Sequence, residues 1–383
     1  MKKYDIAVVG GGILGAFHAF HALEKGLSVA LFEKNNAPQG ATVRNFGQVV
    51  PSGMNQKWQI LGRNSLDIYK KIQKQFDISL RQNGSVYLAS NAEEMTLLEE
   101  LAAINKNNDY PSQLLTAEQC RDRYAGLRAD YVRGGLFFPE EVSLEPHMAI
   151  HRILYFLREQ RGLAYFPNTQ IGAIDVAGDT CTLRDTHGGQ TQAERVLVCG
   201  GHEFRTLFPD MYQKSDLVAV KLQMLELAEQ PTQRFEGNIL TGLSIRRYEA
   251  FSECPSWPGI KAAEPADSPE KHWGIHILFK QTTSGSVILG DSHEYADAAH
   301  ADDLGFDLRD DVNDIMLQRA TDIFDLQNWT VKRRWWGIYS QCKHTDIFQA
   351  TIQGRIHVVT GIGGKGMTGS AGFAAEHIST LFA

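Results

Sequence analysis

The sequence predicts an α/β protein in which a parallel-sheet unit is interleaved with a β-rich α+β part. The first sign is an apolar run, residues 4–9, that leads through a glycine turn into a stretch of helix formers. The second is another apolar run, residues 27–32, which follows that helix and ends on Glu33. Strand, helix and strand in this order form a βαβ unit. The third is the segment 217–330, where short apolar runs and glycine turns predict the β-rich part.

The glycine turn of the βαβ unit reads Gly10-Gly-Gly-Ile-Leu-Gly15. Gly10 permits the tight turn, Gly12 lets the backbone approach a pyrophosphate, and Gly15 lets the helix pack closely on the strand. The N–H groups and the dipole at the start of the helix then face the phosphates. Glu33, about 20 residues on, can accept hydrogen bonds from ribose hydroxyls. The order of these elements predicts a site for the ADP half of a dinucleotide; the alternative is a glycine turn in an ordinary βα unit.

Composition and charge exclude several classes of protein. The 383 residues carry a formal net charge of −7 and no run of lysine or arginine, so nucleic acid and anionic membranes are not expected partners. The five cysteines are scattered, with no Cys-x-x-Cys pair and no zinc-ligand spacing. This pattern predicts reduced thiols, a cytoplasmic location and no metal centre. No segment approaches the roughly 18 consecutive apolar residues that are needed to cross a bilayer.

Glycine-bearing strand ends occur three times along the chain, at residues 10–15, 200–201 and 361–366. An NAD-dependent dehydrogenase needs only the first, whereas a bound FAD needs backbone approaches along its length, including one at the flavin ring. The pattern therefore predicts FAD in a Rossmann-type domain that is interleaved with a substrate-binding domain. The predicted segments are 1–80, 145–218 and 331–383 for the FAD-binding domain, and 81–144 and 219–330 for the substrate-binding domain.

Four segments carry a resemblance to a known family. The first is the ADP site with Glu33, and the second is the loop 40–48, which reads Gly-Ala-Thr-Val-Arg-Asn-Phe-Gly-Gln. The third is the strand end 196–201, and the fourth is the turn 360–368, which reads Thr-Gly-Ile-Gly-Gly-Lys-Gly-Met-Thr. In this order they resemble the FAD-dependent oxidoreductases that include D-amino-acid oxidase, glycine oxidase and sarcosine oxidase. The branch that the chain most resembles is linked to aminophosphonate breakdown.

The resemblance implies which residues contact FAD. They are Gly10, Gly12, Ile13, Leu14, Gly15, Glu33, Lys34, Arg44, Asn45, Gln48, Ile171, Cys199, Gly200, Gly201, Gly337, Ile338, Gly363, Gly364, Lys365, Gly366 and Met367. Arg44 either faces the flavin or pyrophosphate or braces its own loop. Monomeric sarcosine oxidases hold flavin through a cysteine in the region of Cys342, but Cys342 does not fall on that position. We therefore expect non-covalent FAD.

The resemblance also implies an activity, the oxidation of a C–N bond in a small primary or secondary amine. The α-carbon of a neutral amine gives a hydride to flavin N5, the imine is hydrolysed, and dioxygen or another acceptor reoxidises the flavin. Lys365 is expected to stabilise negative charge at the flavin's pyrimidine end, beside a helix N-terminus. Its alternative role is that of an exposed lysine in a turn. Gln48 and Tyr339 are expected to touch flavin or substrate, and no general base is assigned.

One departure from the family concerns the substrate anion. Amino-acid-oxidising members place an arginine after the glycine of the penultimate strand, where it pairs with the substrate carboxylate. Here Tyr339 falls near that position, and no arginine lies between Arg334 and Arg355. Arg246 or Arg247 is expected to supply the anion site instead. An aminophosphonate therefore joins amino acids as a predicted substrate.

Other interpretations remain open. A flavin dehydrogenase with a non-oxygen acceptor would share every motif, an NAD-dependent dehydrogenase would need only the first turn, and a non-catalytic FAD-binding subunit would keep the ADP site. His147 and His151 share a helix face, but no third metal ligand accompanies them. His272, His276 and His293 lie in the β-rich part; each is expected to be structural, and the alternative is that one of them contacts the substrate.

Overall fold

The computed structural model describes residues 3–265 and 267–383, which form two large β-sheets flanked by helices. The strands are β1 (Lys3–Val9), β2 (Val29–Phe32), β3 (Gln48–Val49), β4 (Ser85–Ala89), β5 (Gln113–Thr116), β6 (Gly134–Phe138), β7 (Val142–Ser143), β8 (Ala164–Phe166), β9 (Ile171–Ala177), β10 (Thr180–Asp185), β11 (Gln190–Val198), β12 (Leu217–Leu227), β13 (Asn238–Leu240), β14 (Leu278–Gln281), β15 (Val287–Gly290), β16 (Glu294–Asp297), β17 (Val331–Cys342), β18 (Phe348–Ile352) and β19 (Ile356–Thr360). The helices are α1 (Ile13–Glu24), α2 (Gln56–Gln75), α3 (Ala92–Asn107), α4 (Ala117–Arg123), α5 (Pro146–Arg161), α6 (Pro209–Gln213), α7 (Gly242–Ile245), α8 (Trp257–Ala263), α9 (Pro269–His272), α10 (Asp310–Ile323) and α11 (Gly366–Leu381).

The first sheet has eight strands, of which five run parallel in the order β19-β11-β1-β2-β8. β18 pairs antiparallel with β19 at one edge, and the hairpin β9–β10 extends from β11. Ile6 and Val8 of β1 pack against helices on one face, whereas Tyr4 and Ala7 join a second core on the other face. Because both faces are buried, these strands are continuous apolar runs in the sequence.

The second sheet has nine strands in the order β16-β12-β15-β14-β13-β4-β6-β5, with β17 paired to β12. Its two faces are covered by different helices: Met316 of α10 packs into one core, and Leu98 of α3 packs into the other. The predicted α/β class, a parallel-sheet unit with a β-rich part, is confirmed.

One strand does not follow the predicted division. The sequence places the segment 331–383 in the FAD-binding domain, but β17 pairs antiparallel with β12 from Leu217↔Cys342 to Leu227↔Val331. The pairing places β17 in the second sheet, because strand partners are chosen across the sheet and not by position along the chain. The other domain boundaries remain a prediction.

Among the described residues, none of the helices has the length and apolar character that crossing a membrane requires. All five cysteines are buried and free, as the sequence predicts. The cytoplasmic location remains a prediction.

Candidate active site

A cavity of about 810 Å³ lies between the two sheets, and it collects nearly all of the predicted site residues. Every predicted FAD-contacting residue lines it except Gly15, and Tyr339 lines it as well. Gly15 instead lies behind the turn, where a Cβ would approach the Gly10 carbonyl oxygen to 2.1 Å. Its role is the close packing of helix on strand that its place in the motif predicts.

The glycine turn brings bare backbone to the wall of the cavity. Gly10 has φ +108°, and a Cβ there would lie 2.3 Å from the carbonyl oxygen of Cys199. Gly12 caps helix α1 without a side-chain hydrogen bond, and the first turn of α1 holds no acidic residue. The Ile13 N–H donates to Thr42 Oγ1 at 3.0 Å, and the rest of the helix N-terminus is available to an anion, which fits the pyrophosphate of a dinucleotide.

Glu33 closes β2 and is buried beside the glycine turn. Its carboxylate accepts the Gly11 N–H at 3.0 Å and the Asn35 N–H at 2.9 Å. These bonds fix the carboxylate at the end of β2, and its remaining lone pairs suit ribose hydroxyls.

The loop that carries Arg44, Asn45 and Gln48 combines structural and binding roles. Arg44 donates hydrogen bonds to the carbonyl oxygens of Gln39 (2.8 Å) and Trp336 (3.1 Å), so it braces the loop while lining the cavity. Asn45 bonds the carbonyl oxygens of its own loop. Gln48 is buried, and its Nε2 has no partner among the described residues. An unpaired buried donor at the cavity wall fits a ligand that brings an acceptor.

Lys365 lies just before α11 and is only 16% exposed. Its Nζ lies 2.6 Å from Glu249 Oε1 and 3.2 Å from Asp346 Oδ1, and all three residues line the cavity. The lysine is therefore not the exposed turn lysine of the alternative interpretation. Its ammonium forms ion pairs with two carboxylates, and the sequence did not predict this arrangement.

The wall formed by the second sheet is rich in aromatic and charged side chains. Arg247 is exposed to the cavity and donates hydrogen bonds to Gly274 O (3.1 Å) and to the Tyr295 hydroxyl (2.9 Å). Tyr339 and Tyr248 lie on the same wall. Burial raises the pKa of both phenols far above the ordinary value, so both remain protonated donors.

Three further residues of this wall form a polar cluster. His276 Nε2 lies 2.7 Å from Asp291 Oδ1, and His293 Nδ1 lies 4.0 Å from the same oxygen. All three side chains are buried. Burial lowers the pKa of His276, and it lowers that of His293 to about 3, so both rings are neutral. His276 and His293 thus meet around an acid and line the cavity, and the alternative that one of the histidines contacts the substrate remains a prediction.

The two candidate arginines for the anion site, Arg246 and Arg247, have different surroundings. Arg246 pairs with Glu93 and Glu94, each at 2.9 Å, and with Glu264 at 3.7 Å, and it does not line the cavity. The prediction of an anion site at Arg246 is wrong, because these three carboxylates already take up its charge. The prediction of an anion site therefore applies to Arg247, which lines the cavity.

His147 and His151 line a separate cavity of about 260 Å³, with Arg44 and Arg333. Among the described residues, the single group of three or more side chains that could hold a metal ion is His276, Asp291 and His293. The absence of a metal centre remains a prediction. Cys342 lines the large cavity, and the non-covalent state of the flavin also remains a prediction.

The fold and the turn together define a dinucleotide-binding protein with a substrate wall from a second sheet. A family profile described as "DAO: FAD dependent oxidoreductase" matches residues 5–380. The chain therefore belongs to this DAO family, and FAD is its cofactor. The predicted resemblance is confirmed, and an NAD-dependent dehydrogenase is excluded.

Known proteins place the chain within the family. It is 23% identical over 354 residues to one of the subunits of opine oxidase from Rhizobium meliloti, covering 88% of this chain and 82% of that one. It is 25% identical over 213 residues to glycine oxidase of Geobacillus kaustophilus, covering 52% of this chain and 55% of that one. The crystal structure of that glycine oxidase matches with a TM-score of 0.78 at 17% identity, over 100% of this chain and 95% of the other. L-proline dehydrogenase from P. horikoshii matches with a TM-score of 0.79 at 16% identity, over 100% and 94%.

Proposed function

We propose that this chain oxidises the C–N bond of a small amine that also carries an anionic group, either an amino acid or an aminophosphonate. The observation that carries the proposal is the guanidinium of Arg247. It lines the cavity, and no carboxylate of the described residues lies within 4.0 Å of it. An exposed guanidinium of this kind offers parallel N–H donors to a carboxylate or a phosphonate. The named activities of glycine oxidase and sarcosine dehydrogenase among the relatives favour an amine over an alcohol.

FAD, when bound, supplies the hydride acceptor that oxidation of the amine requires. The residues of the chain hold the substrate in place for that step. Arg247 binds the anionic group, and the phenol of Tyr339 closes the same wall and can donate a further hydrogen bond to it. Gln48 lines the cavity, and its buried amide nitrogen has no hydrogen-bond partner among the described residues. No general base is needed if the amine binds unprotonated.

Lys365 acts from the other side of the cavity. Its ammonium stands at the start of α11, so lysine and helix dipole together favour negative charge at that point. Glu249 and Asp346 hold the ammonium in one position and reduce the field that it exerts.

An aminophosphonate is the finer form of the proposal. A phosphonate presents three oxygens, and the wall around Arg247 offers donors from Tyr295 and Tyr339 in addition to the guanidinium. The missing family arginine near Tyr339 supports a substrate that is anchored differently from a simple amino acid.

The imine product is then hydrolysed, and dioxygen or another acceptor would take up the two electrons removed from the amine. A flavin amine dehydrogenase with a non-oxygen acceptor is the second candidate, because one relative, 23% identical over 244 residues, is by its name a sarcosine dehydrogenase. A non-catalytic FAD-binding subunit would have no use for Arg247 in the cavity.

The test is a visible spectrum of the purified protein, followed by anaerobic additions of amines. The panel contains glycine, sarcosine, D-alanine, 2-aminoethylphosphonate and its N-methyl derivative. We expect a flavin band that at least one of these amines bleaches, and bleaching by the phosphonates alone would identify the finer substrate class. Admission of air then separates an oxidase, which regains colour and releases peroxide, from a dehydrogenase. A flavin band that no amine bleaches would contradict amine oxidation, and flavin released by acid denaturation would support its non-covalent state.

A further inference from the structure

Two opposite charges share the substrate wall without touching each other. Asp291 and Arg247 both line the cavity, yet no oxygen of Asp291 lies within 4.0 Å of the guanidinium. Arg247 donates one hydrogen bond to Gly274 O and one to the Tyr295 hydroxyl, and its other N–H groups remain for a ligand. Asp291 contacts His276. Unpaired opposite charges in one cavity form a binding site for a molecule that carries both charges itself.

The carboxylate of Asp291 lies against a buried histidine, which in turn contacts a buried serine. His276 Nε2 lies 2.7 Å from Asp291 Oδ1, and His276 Nδ1 lies 3.2 Å from the hydroxyl of Ser244. Ser244 is fully buried, and Asp291 is only 7% exposed. Asp291 Oδ1 is buried and has no hydrogen-bond partner among the described residues, so the negative charge stands in a confined place with an oxygen free to accept a hydrogen bond. Little reorganisation is then needed when a positive charge forms beside it.

The neighbours of Asp291 keep it ionised. Burial by itself raises the pKa of this carboxyl, but His293, His276 and Arg247 together lower the pKa below its ordinary value. Near neutral pH both rings are uncharged, so the positive charge of Arg247 and the contact with His276 are what favour the ionised carboxylate. Two phenols of the wall, Tyr248 and Tyr339, stay protonated and neutral, and Tyr295 and Glu249 also line the cavity. Asp291 is thus the fixed negative charge of this part of the wall.

We infer that Asp291 is a further catalytic residue, which accepts a hydrogen bond from the substrate amine and stabilises the cation formed from it. The inference rests on the proposed amine oxidation. In that reaction the C–H bond breaks with both electrons leaving for FAD, and the nitrogen lone pair forms the C=N bond. The neutral amine thereby becomes an iminium cation, and water later adds to its carbon and releases a proton. A preorganised carboxylate beside the nitrogen lowers the energy of the charge as it develops.

His276 is the corresponding positioning residue, since it orients Asp291 and does not itself need to touch the substrate. The alternative occupant of the cluster is a divalent metal ion held by His276, Asp291 and His293. A divalent ion would be repelled by the guanidinium of Arg247 and would leave that guanidinium without an anion, whereas a substrate that carries its own anionic group also pairs with Arg247. We therefore favour the amine.

The first test measures binding without turnover, using two isosteric probes. Glycine betaine carries a fixed trimethylammonium cation, and 3,3-dimethylbutyrate has the same shape and carboxylate with a neutral carbon in place of the nitrogen. Calorimetry on the FAD-loaded wild-type protein is expected to show about tenfold tighter binding of betaine, the ratio that one charge contact supplies. Asp291→Asn should reduce this ratio to about one, while Asp130→Asn, at an exposed site outside the cavity, should preserve it. Equal binding of both probes by the wild type, or binding of neither, would overturn the inference.

The second test separates this inference from the proposed function. With an amine that bleaches the flavin, Asp291→Asn should slow anaerobic flavin reduction by about a hundredfold, within the range found when a preorganised group is removed. His276→Gln should slow flavin reduction less, and His276→Asn should be the poorer replacement because its shorter amide reaches Asp291 less well.

Unchanged reduction in Asp291→Asn would refute the role of Asp291 while leaving amine oxidation intact. If no amine bleaches the wild type, the proposed function fails, and the betaine preference still decides whether Asp291 binds cations. Stoichiometric metal in the purified protein that is lost in Asp291→Asn would assign the cluster to a metal and also overturn the inference.

Discussion

The two walls of the cavity are built in opposite ways. The dinucleotide wall consists mostly of backbone from a few short segments, with Gly10 and Gly12 in one turn and Gly200 at the end of the neighbouring parallel strand. The substrate wall consists of side chains from distant segments, such as Arg247 and Asp291, which meet because strands of the second sheet pair across the chain. A backbone site needs residues at fixed spacing and leaves a motif. A side-chain site needs only proximity in space and leaves none.

The largest expected effect is that of Gly10→Ala, which alters the dinucleotide wall alone. The new Cβ would lie 2.3 Å from the Cys199 carbonyl oxygen, and φ of +108° is unfavourable for alanine. We expect loss of FAD and a fall of more than about 3 kcal/mol in the free energy of unfolding, because strain and a backbone clash combine. The measurements are the flavin-to-protein absorbance ratio and urea unfolding.

Gly26→Ala is the matched control for this change. Gly26 also has a positive φ, +82°, but a Cβ there meets nothing within 4 Å. We expect a cost of about 1–2 kcal/mol from the backbone alone and a full complement of FAD. If Gly10→Ala also kept its full FAD, the close approach at the turn would not be what holds the cofactor.

Arg247→Met is the corresponding change in the substrate wall. It should leave the FAD content unchanged and weaken binding of the anionic amine by about a hundredfold, the loss of a charged hydrogen-bonded contact. Anaerobic titration of the flavin spectrum gives the Kd for whichever amine bleaches it.

Arg246→Met provides the control from the adjacent residue. It leaves Glu94 buried without its cation, so we expect lower stability but an unchanged Kd. A Kd that rises equally in both variants would show that the effect of Arg247 is structural and not a contact with the substrate.

The contrast between the walls explains what the sequence could predict. The ADP site at Gly10–Gly15 and the flavin turn at 361–366 were recognisable, because close backbone approach demands glycine at fixed positions. Asp291 was missed, since it follows an ordinary strand and acquires its meaning only when His276 is beside it. Arg246 and Arg247 could not be separated, because adjacent residues have the same sequence context and only the placement of Glu93, Glu94 and Glu264 distinguishes them.

Acid is expected to lower the free energy of unfolding by disturbing the packing of α1, the helix that begins at the dinucleotide wall. Helix α1 packs on α11 through buried His18 and half-buried His377: His18 Nδ1–H donates to Leu14 O at 2.7 Å, and His18 Nε2 lies 2.9 Å from His377 Nδ1. Burial lowers the pKa of His18 from 6.5 to about 3 and that of His377 to about 4. Because the unfolded chain binds these protons first, stability is full above pH 6.5 and falls as the pH drops towards 4.

The expected slope is about 1.4 kcal/mol per pH unit for each histidine, measured by urea unfolding between pH 7 and pH 5. His377→Gln should reduce that slope, whereas His187→Gln, in an exposed loop, should not. A slope that is the same in all three proteins would mean that other groups carry the acid sensitivity.

The smallest expected effect concerns Lys365, where the two walls meet. Its ammonium bridges Asp346, which lies before β18 of the first sheet, and Glu249, which lies near Arg247 in the chain. Removing a lone cation at a site of developing negative charge costs a hundredfold or more, but two carboxylates already offset this one. We therefore expect Lys365→Met to keep FAD and to slow flavin reduction or reoxidation by only about tenfold. Stopped-flow measurement of both half-reactions tests this, with Lys332→Met, an exposed lysine of β17 outside the cavity, as the control. If both half-reactions were unchanged while thermal stability fell, Lys365 would belong to the structure of the junction between the walls and not to the chemistry inside it.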